Sequence, residues 1–398
     1  MTPRERGAVA LVLVGDELLA GHVNDTNGPC LGRRLAEAGL GVVSSTLVPD
    51  QADAVVRAVE RALADAPAVV VTGGLGRTSD DQTRPALARL GHGRPMRPLR
   101  NGWGSEDGVR LDLTQGTVYA VPGVPAEMSA MVDEQVIPDL LAGAGDLPQR
   151  AIGSLLVVGL GEREVADLLA PMEATTADPI RLAFLPRPGE VEVRIRAEGA
   201  DAPATAERSV RQARELLGDT VAAEGQNLEQ AVVGSLLAAG ATVAAAESLT
   251  GGLLAGALVS VPGVSAVFRG GVVAYATELK AGLAGVPADL LDRDGAVAAS
   301  TAVAMADGVR RRCGATYGMA TTGVAGPDPQ EGHAAGTFHV AVTWDDGVRV
   351  LSRRPAPDRA STRDTVRRLA VVRALDLLRR AVGNLGAGPG ESWPPPTR

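Results

Sequence analysis

Short apolar runs alternate with segments of helical periodicity through the N-terminal part of the chain, and this alternation restricts the fold more than any other feature. Continuous apolar runs at residues 8–14 and 68–71, with a shorter one at 42–43, have the character of buried strands. Residues 31–38 and 55–63 between them place apolar side chains at helical spacing. Strands that alternate with helices predict a doubly wound α/β domain with a parallel sheet.

Polar and glycine-rich loops follow two of these predicted strands, at the sheet edge where ligands bind in a parallel sheet. The first strand ends in Gly15-Asp16-Glu17 and the third in Thr72-Gly73-Gly74-Leu75-Gly76. Backbone N–H groups of such glycines can approach a phosphate, and the following Asp80 and Asp81 are able to hold a cation or a hydroxyl. A plain tight turn also explains the glycines, and the residues alone leave that alternative open.

Charge and cysteine usage argue against several classes of protein. The formal net charge of −8 argues against a nucleic-acid-binding surface as the main function. Cys30 and Cys313 are far apart and lack metal-ligand spacing, and the four histidines form no zinc motif. No apolar run approaches the length of a membrane span, and the N-terminus lacks the features of a signal peptide. We therefore expect a soluble cytoplasmic protein with reduced cysteines.

A second strand–turn–helix pattern surrounds Ser248. The apolar run 241–246 has the character of a buried strand, and apolar residues from Leu253 onward, after Gly251 and Gly252, have helical spacing. This pattern predicts Ser248 at or near the N-cap of the helix, where free backbone N–H groups stabilise an oxyanion formed beside it. A serine in this position can also simply cap the helix, which is its commoner function.

Lys280 is the only lysine in 398 residues, so the other 38 of the 39 Lys and Arg residues are arginines. A chain with this preference would be expected to use arginine here as well, if only a positive charge were needed. A desolvated lysine, unlike arginine, can lose its proton and act as a base. Lys280 is therefore a candidate base for Ser248, with an accidental surface lysine as the alternative.

The last helical segment places two arginines in line with its apolar face. An apolar stripe runs at helical spacing from Val371 to Val382, and continuing it backward by fours reaches Arg367 and Arg363. Arginines on an inward face need an anion, and the 5′-phosphate of a mononucleotide would suit them. A salt bridge to an acidic residue of another element is the alternative for each arginine.

Ordered motifs along nearly the whole chain resemble the CinA family (competence/damage-inducible protein A). In the N-terminal part they are residues 14–19, 25–27, 72–76, 80–81 and 121–128. In the C-terminal part they are residues 246–252, 267–275, 285–287, 295–297 and 321–327, together with Lys280. The resemblance implies a molybdopterin-binding-like domain at 1–147, a small α+β KH-type domain at 148–224 and an α/β amidohydrolase domain at 225–385. The Gly- and Pro-rich tail at 386–398 is predicted to be disordered.

The resemblance also implies a function for the C-terminal domain. It is similar to enzymes that deamidate nicotinamide mononucleotide (NMN) to nicotinic acid mononucleotide and ammonia in pyridine-nucleotide salvage. Ser248 is then the nucleophile, Lys280 its base, and Tyr275 a group that relays the proton or holds the amide. The residues expected to bind substrate are Thr250, Gly251, Gly252, Thr322, Gly323, Arg363 and Arg367. A core aromatic is the alternative for Tyr275, and a turn residue for Thr322.

This reaction needs no cofactor, and the expected partners are NMN and a second copy of the chain in a homodimer, with no membrane and no direct nucleic-acid contact. For the N-terminal domain the resemblance implies ADP-ribose hydrolysis with a divalent metal. The matching nucleotide-binding residues are Asp16, Asp25, Asn27, Gly73, Gly74, Gly76, Asp80 and Asp81. Segment 91–116 is shorter than in the family, and its Gly- and Arg-rich composition predicts a loop. Because a wall of the pocket is then missing, we expect this activity to be weak or lost.

Two other functions remain open on the sequence. One is a non-catalytic nucleotide- or pterin-binding protein, which the shortened N-terminal domain favours and the presence of Ser248 and Lys280 disfavours. The other is a competence-related interaction protein, although the acidic balance argues against direct DNA binding. The middle domain has Gly159-Leu160-Gly161-Glu162 in place of a basic Gly-x-x-Gly loop, and we interpret it as a spacer.

Overall fold

Three β-sheets with flanking helices appear in the computed structural model, which describes residues 7–145, 147, 149–175, 180–355 and 362–383. The chain divides into two compact units, Met1–Arg150 and Ala151–Arg398. The tail at 386–398, predicted to be disordered, lies outside the described residues. No helix within the described ranges is long and apolar enough to cross a membrane.

The first unit contains a six-stranded sheet. Its strands are β1 (Ala8–Val14), β2 (Gly41–Val48), β3 (Ala68–Thr72), β4 (Met96–Leu99), β5 (Gly108–Asp112) and β6 (Thr117–Val121). They lie in the order β2-β1-β3-β6-β5-β4, and β2, β1, β3 and β6 are parallel. The helices are α1 (Asp16–Leu19), α2 (Asn27–Glu37), α3 (Ala52–Asp65), α4 (Thr83–Gly91), α5 (Pro125–Met131) and α6 (Ile137–Ala144), with a π-helical turn at Val132–Val136.

Alternate residues of β1 enter two separate hydrophobic cores. Ala10 and Val12 belong to the core that includes Val55 of α3, whereas Val9 and Leu11 belong to the core on the other face of the sheet. This alternation follows from the period of two along a strand, and a strand that is apolar on both faces needs helices on both. The predicted doubly wound α/β class is confirmed.

Segment 91–116, predicted to be a loop, forms a hairpin instead. β4 pairs antiparallel with β5, and β5 pairs antiparallel with β6 at the edge of the parallel strands. Val109 and Leu111 of β5 are buried in the core. The prediction was wrong because two strands of four and five residues, interrupted by Arg and Pro, carry too little periodicity to be recognised.

The second unit begins with a four-stranded sheet. Its strands are β7 (Arg150–Val158), β8 (Ile180–Arg187), β9 (Glu190–Glu198) and β10 (Val221–Glu224), in the order β10-β7-β9-β8, and its helices are α7 (Glu162–Thr175) and α8 (Ala202–Leu217). The alternating residues of β9, Val191, Val193 and Ile195, are buried as the pattern predicts.

A five-stranded sheet forms the remainder of the second unit. Its strands are β11 (Val243–Glu247), β12 (Phe268–Val273), β13 (Tyr317–Gly323), β14 (Phe338–Trp344) and β15 (Gly347–Arg353). The order is β12-β11-β13-β14-β15, with β12, β11 and β13 parallel and β14 and β15 antiparallel. The helices are α9 (Leu228–Ala238), α10 (Leu253–Val259), α11 (Thr277–Gly282), α12 (Ala288–Asp294), α13 (Ala299–Cys313) and α14 (Arg363–Gly383).

The four-stranded sheet packs directly against the C-terminal helices. Leu156 and Val158 of β7 share one hydrophobic core with Leu375 and Leu378 from the predicted apolar stripe of α14. Gly189, at the turn between β8 and β9, has a φ of 87°, and a Cβ there would lie 2.5 Å from Leu369 of α14. The middle region therefore packs as part of the second unit. The sequence-based interpretation of this region as a spacer did not include this packing.

Candidate active site

A cavity of about 410 Å³ lies at the carboxyl ends of β11 and β13. These strands are parallel neighbours, and Glu247 at the end of β11 is paired with Thr321 near the end of β13. Ligands bind at this edge of parallel sheets because the following loops diverge there. The cavity is lined by Ser248, Leu249, Tyr275, Lys280, Ala296, Val297, Thr322, Gly323, residues 324–330 and Arg363.

Ser248 lies at the edge of this cavity but does not cap a helix. Its backbone N–H donates to the Thr321 carbonyl over 2.9 Å, which fixes the turn against β13. Helix α10 begins at Leu253, and its N-cap is Gly252 with a φ of 95°. Ser248 lies in the turn before the helix and is not its N-cap, because two glycines with positive φ extend the turn before the helix begins.

The amides at the start of α10 are occupied by the carboxylate of Glu247. Its side chain accepts hydrogen bonds from the N–H groups of Gly252 at 2.9 Å, Leu254 at 3.0 Å and Ala255 at 2.8 Å, and the residue is only 1% exposed. A carboxylate at a helix N-terminus is stabilised by those donors and by the helix dipole. The donors that the sequence suggested for an oxyanion are therefore already engaged.

An unengaged backbone donor lies directly beside Ser248. Within the described residues, the N–H of Leu249 donates no hydrogen bond, and Leu249 lines the cavity. The Gly251 N–H is used by the Ser248 carbonyl at 3.1 Å. An N–H group immediately after a nucleophile is well placed to stabilise the negative oxygen of a tetrahedral intermediate.

Lys280 is almost completely buried, at 2% exposure, although its amine reaches the cavity. Its Nζ donates to the carbonyls of Ala274 and Tyr275, each over 3.2 Å. Burial lowers the pKa of the amine below its ordinary value of 10.5, and the carboxylates of Glu331 and Glu278 partly oppose this shift. The alternative of an accidental surface lysine was wrong.

Lys280 and Ser248 open into the same cavity without a hydrogen bond between their side chains in the described part of the chain. The Lys280 amine is satisfied by the two carbonyls instead. Hydrogen bonds between catalytic groups often form only when substrate is bound, so this geometry is compatible with proton transfer.

Tyr275 and Arg363 form one wall of the cavity. Arg363 donates from Nη2 to the Tyr275 hydroxyl at 2.7 Å and from Nη1 to the Gly326 carbonyl at 2.8 Å. Tyr275 is 56% exposed, so the alternative of a core aromatic was wrong.

Arg367, one turn further along α14, does not line the cavity. Its guanidinium donates to the carbonyls of Leu249 at 3.1 Å and Thr250 at 2.8 Å, directly behind the turn that carries Ser248. The salt bridge considered as an alternative does not describe Arg367, because its partners are these two backbone carbonyls. Helical spacing placed both arginines on one face, but only Arg363 reaches the cavity.

The other predicted substrate-binding residues also divide into two groups. Thr322 and Gly323 line the cavity, and the Thr322 hydroxyl donates to the Ala296 carbonyl at 2.6 Å. Thr250 is fully buried, with its hydroxyl 2.7 Å from that of Thr321, and lies outside the lining together with Gly251 and Gly252. Three of the seven predicted residues thus reach the cavity, and four shape the turn behind it.

Three domain families match the chain in order along the sequence. They are the probable molybdopterin binding domain at residues 10–142, the damage-inducible protein CinA KH domain at 154–223 and the CinA C-terminal domain at 225–382. A CinA-like protein of Frankia casuarinae is 42% identical, over 94% of this chain and 96% of its own length. The chain belongs to the CinA family.

Other CinA-family relatives span most of the chain or one part of it. A putative competence-damage inducible protein of Desulforamulus reducens is 34% identical over 85% of this chain and 91% of its own. Among solved structures, the competence/damage inducible protein CihA from Agrobacterium tumefaciens is 34% identical. That match covers 39% of this chain and 93% of CihA, with a TM-score of 0.37.

The N-terminal domain of this CinA-family chain contains a second cavity, of about 500 Å³. Seven of the eight residues predicted for this domain line it: Asp25, Asn27, Gly73, Gly74, Gly76, Asp80 and Asp81. Asp16 is outside the lining, and its backbone N–H donates to the Asp50 carboxylate at 2.7 Å. Asp50 lines the cavity and was missed in the sequence because it follows β2 without a glycine motif.

The shortened segment supplies part of this cavity's wall. Ser105 and Glu106, from the loop that joins β4 to β5, line the cavity. The loop is held in place by Asn101, whose side-chain amide donates to the Glu127 carboxylate at 2.6 Å. The wall that was expected to be missing is therefore replaced by a shorter one.

Carboxylates from several loops line this cavity, among them those of Asp25, Asp50, Asp80 and Asp81. Within the described residues, no group of three or more His, Cys, Asp or Glu side chains is placed to hold a metal ion. The Asp81 carboxylate accepts hydrogen bonds from the N–H and the hydroxyl of Thr78. Although burial favours its neutral form, these hydrogen bonds lower the pKa of Asp81. Asp81 thus stabilises its own turn.

Proposed function

We propose that the C-terminal domain hydrolyses the carboxamide of NMN to nicotinic acid mononucleotide and ammonia. The observation that supports this most strongly is the joint opening of Ser248, Lys280 and Arg363 into one cavity. These residues supply a nucleophile, a base of lowered pKa and a cation for a phosphate. A volume of about 410 Å³ is within the range of small-molecule sites.

In the first step the Ser248 oxygen attacks the carboxamide carbon while its proton passes to the neutral amine of Lys280. The carbonyl oxygen of the substrate becomes the negative oxygen of the tetrahedral intermediate and accepts a hydrogen bond from the Leu249 N–H. Collapse of this intermediate breaks the carbon–nitrogen bond, and Lys280 returns its proton to the departing ammonia. An ester between Ser248 and the nicotinoyl group remains.

In the second step a water molecule hydrolyses this ester. Lys280, neutral again after the first step, takes a proton from the water, and the Ser248 oxygen leaves with that proton. The carboxylate product is then released. This sequence is the Ser–Lys variant of triad chemistry, and all of its proton transfers use the chain's own residues.

Arg363 is proposed to bind the 5′-phosphate of NMN. Its two hydrogen bonds, to Tyr275 and Gly326, fix the guanidinium at the cavity wall and leave further N–H donors for an anion. Thr322 is proposed to hold the cavity wall in position, because its hydroxyl donates to the Ala296 carbonyl. Tyr275 is proposed to contact the substrate through its exposed ring and its hydroxyl.

Release of ammonia from NMN by the purified protein tests the proposal directly. We expect ammonia and nicotinic acid mononucleotide in equal amounts without added metal, measured by a coupled ammonia assay and by chromatography. Ser248→Ala is the control, because it removes only the nucleophilic oxygen. A folded wild-type sample that releases no ammonia above the blank contradicts the assignment.

A further inference from the structure

Glu331, in the loop between β13 and β14, adopts a backbone conformation that favours glycine. Its φ is 50°, and His92 is the other non-glycine residue with positive φ in the described chain. A side chain at such a position costs conformational energy, so its contacts must compensate for that cost. The carboxylate accepts a hydrogen bond from the Ala296 N–H at 3.0 Å.

Ala296 is held from both sides of its backbone. Glu331 accepts from its N–H, and the Thr322 hydroxyl donates to its carbonyl at 2.6 Å. The preceding Gly295 has a φ of 80°, and a Cβ there would lie 3.1 Å from the Glu331 carboxylate. Ala296 itself lines the cavity, so these two contacts determine the position of that wall.

The negative charge of the same carboxylate also acts on the buried amine of Lys280. Two negative groups oppose the effect of burial on that amine: Glu331, from the β13–β14 loop, and Glu278, from α11 itself. They are the charged groups that act on Lys280 among the described residues. Both glutamates are exposed, but the Glu331 carboxylate is fixed by the Ala296 N–H, whereas Glu278 accepts no hydrogen bond within the described residues.

We propose that Glu331 is a positioning residue of this site, which fixes the Ala296 wall by its hydrogen bond and stabilises the ammonium that Lys280 becomes on accepting the Ser248 proton. This inference rests on the proposed function for the role of Lys280 in the reaction. The hydrogen bond and the charge effect of Glu331 are themselves independent of any substrate, and they are tested separately from activity.

The single lysine makes the charge effect of Glu331 directly measurable. In protein labelled with ¹³C-lysine, Lys280 gives the only side-chain lysine signal, and its chemical shift follows the protonation of the amine. We expect Glu331→Gln to lower the titration midpoint, because the variant removes a negative charge but retains an oxygen for the Ala296 N–H. Glu278→Gln is the matched control and should lower the midpoint less, because its carboxylate is not fixed by a hydrogen bond and has the smaller effect on the amine.

The hydrogen bond is measured by amide exchange at Ala296. Glu331→Gly removes the acceptor and suits the positive φ, so the variant should fold. Its Ala296 N–H should exchange about 10–100-fold faster, as expected for the loss of a hydrogen bond to a charged group. Glu331→Gln should leave this exchange close to that of the wild type.

Both results are required for the proposal. An unchanged Lys280 midpoint in Glu331→Gln, or a shift no larger than that of Glu278→Gln, overturns it, and so does unchanged Ala296 exchange in Glu331→Gly. If both results are obtained and NMN is not hydrolysed, Glu331 positions Lys280 and Ala296 for a different reaction, and only the proposed function fails. If NMN is hydrolysed, the acidic limb of kcat/KM should move to lower pH in Glu331→Gln, whereas a purely structural role would leave it in place.

Discussion

Arg363 donates a hydrogen bond from Nη2 to the hydroxyl of Tyr275 over 2.7 Å, although the two residues are 88 positions apart in the chain. This contact joins the first residue of α14 to the loop that follows β12. A second hydrogen bond, to Gly326, joins it to the loop that follows β13. The guanidinium is therefore held between two loops at the mouth of the cavity, in a fixed position for an anion.

Replacing Arg363 should weaken chiefly the binding of the phosphate. We expect Arg363→Lys to lower kcat/KM for NMN by about 10–100-fold, because lysine cannot make the same pair of hydrogen bonds while it binds an anion. Nicotinamide riboside, which has no phosphate, should be hydrolysed by the variant and the wild type at similar rates. Steady-state kinetics with both substrates measure the difference.

Arg367→Lys is the matched control for that experiment. Arg367 supports the carbonyls of Leu249 and Thr250 beside Ser248, so its replacement should slow both substrates by the same factor. If Arg367→Lys slowed NMN more than nicotinamide riboside, and Arg363→Lys slowed both equally, the roles assigned to the two arginines would be reversed.

Several elements of the site follow directly from the sequence. Lys280 is conspicuous as the single lysine, and the structure places it buried at the cavity together with Ser248. The apolar stripe of α14 predicts both the helix and the inward direction of Arg363 and Arg367. These features are local in the chain, and local spacing determines them.

The remaining features depend on contacts between distant segments. The loops at 249–250 and 326 determine which arginine reaches the cavity. The spacing of residues within α14 cannot predict this. Glu247 appears in the sequence only as a polar residue at the end of a strand. Its role becomes visible when the turn folds back and directs three N–H groups at its carboxylate.

The buried carboxylate of Glu247 should contribute substantially to stability. Glu247→Gln replaces one acceptor oxygen by an NH₂ group that faces a backbone donor, so at least one of the three hydrogen bonds is lost. We expect the free energy of unfolding to decrease by about 1–3 kcal/mol, measured by urea denaturation. Glu215→Gln, at an exposed position of α8, is the control and should change stability little. Equal stability of the two variants would contradict the role assigned to Glu247.

Little or no ADP-ribose hydrolysis is expected from the N-terminal domain. Its cavity has three of the four predicted aspartates, but Asp81 is engaged by Thr78, and no group of three metal-ligating side chains is found among the described residues. Release of AMP is measured with Mg²⁺, Mn²⁺ or Co²⁺ added in turn, on a sample whose ammonia release from NMN is measured in parallel. Rapid metal-dependent formation of AMP would show that the short wall containing Ser105 and Glu106 is sufficient for catalysis.

The pH dependence of the reaction should reflect the buried lysine. Only the neutral amine of Lys280 can accept the Ser248 proton, so kcat/KM should rise as pH increases through the pKa of Lys280. Because burial lowers that pKa, the inflection should lie below 10.5 and coincide with the NMR titration of the same residue. A value of kcat/KM that does not change with pH across that titration would show that Lys280 does not accept the proton.

Substitution of Lys280 by arginine separates a base from a simple positive charge. Arginine fills every other Lys or Arg position of this chain, so Lys280→Arg should be tolerated if charge is all that the site requires. Arginine stays protonated at any workable pH and cannot act as the base.

For a base role we therefore expect Lys280→Arg to lower kcat by roughly 10²–10⁴-fold. Ser248→Ala should lower kcat by a similar factor, and the double variant hardly further, because residues that act as one catalytic unit are strongly non-additive. Calorimetric binding of NMN and circular dichroism confirm that each variant is folded and still binds substrate through Arg363. Near-normal turnover by Lys280→Arg would leave Ser248 without an activating base, and independent, multiplicative losses in the double variant would show that the two residues act in separate steps.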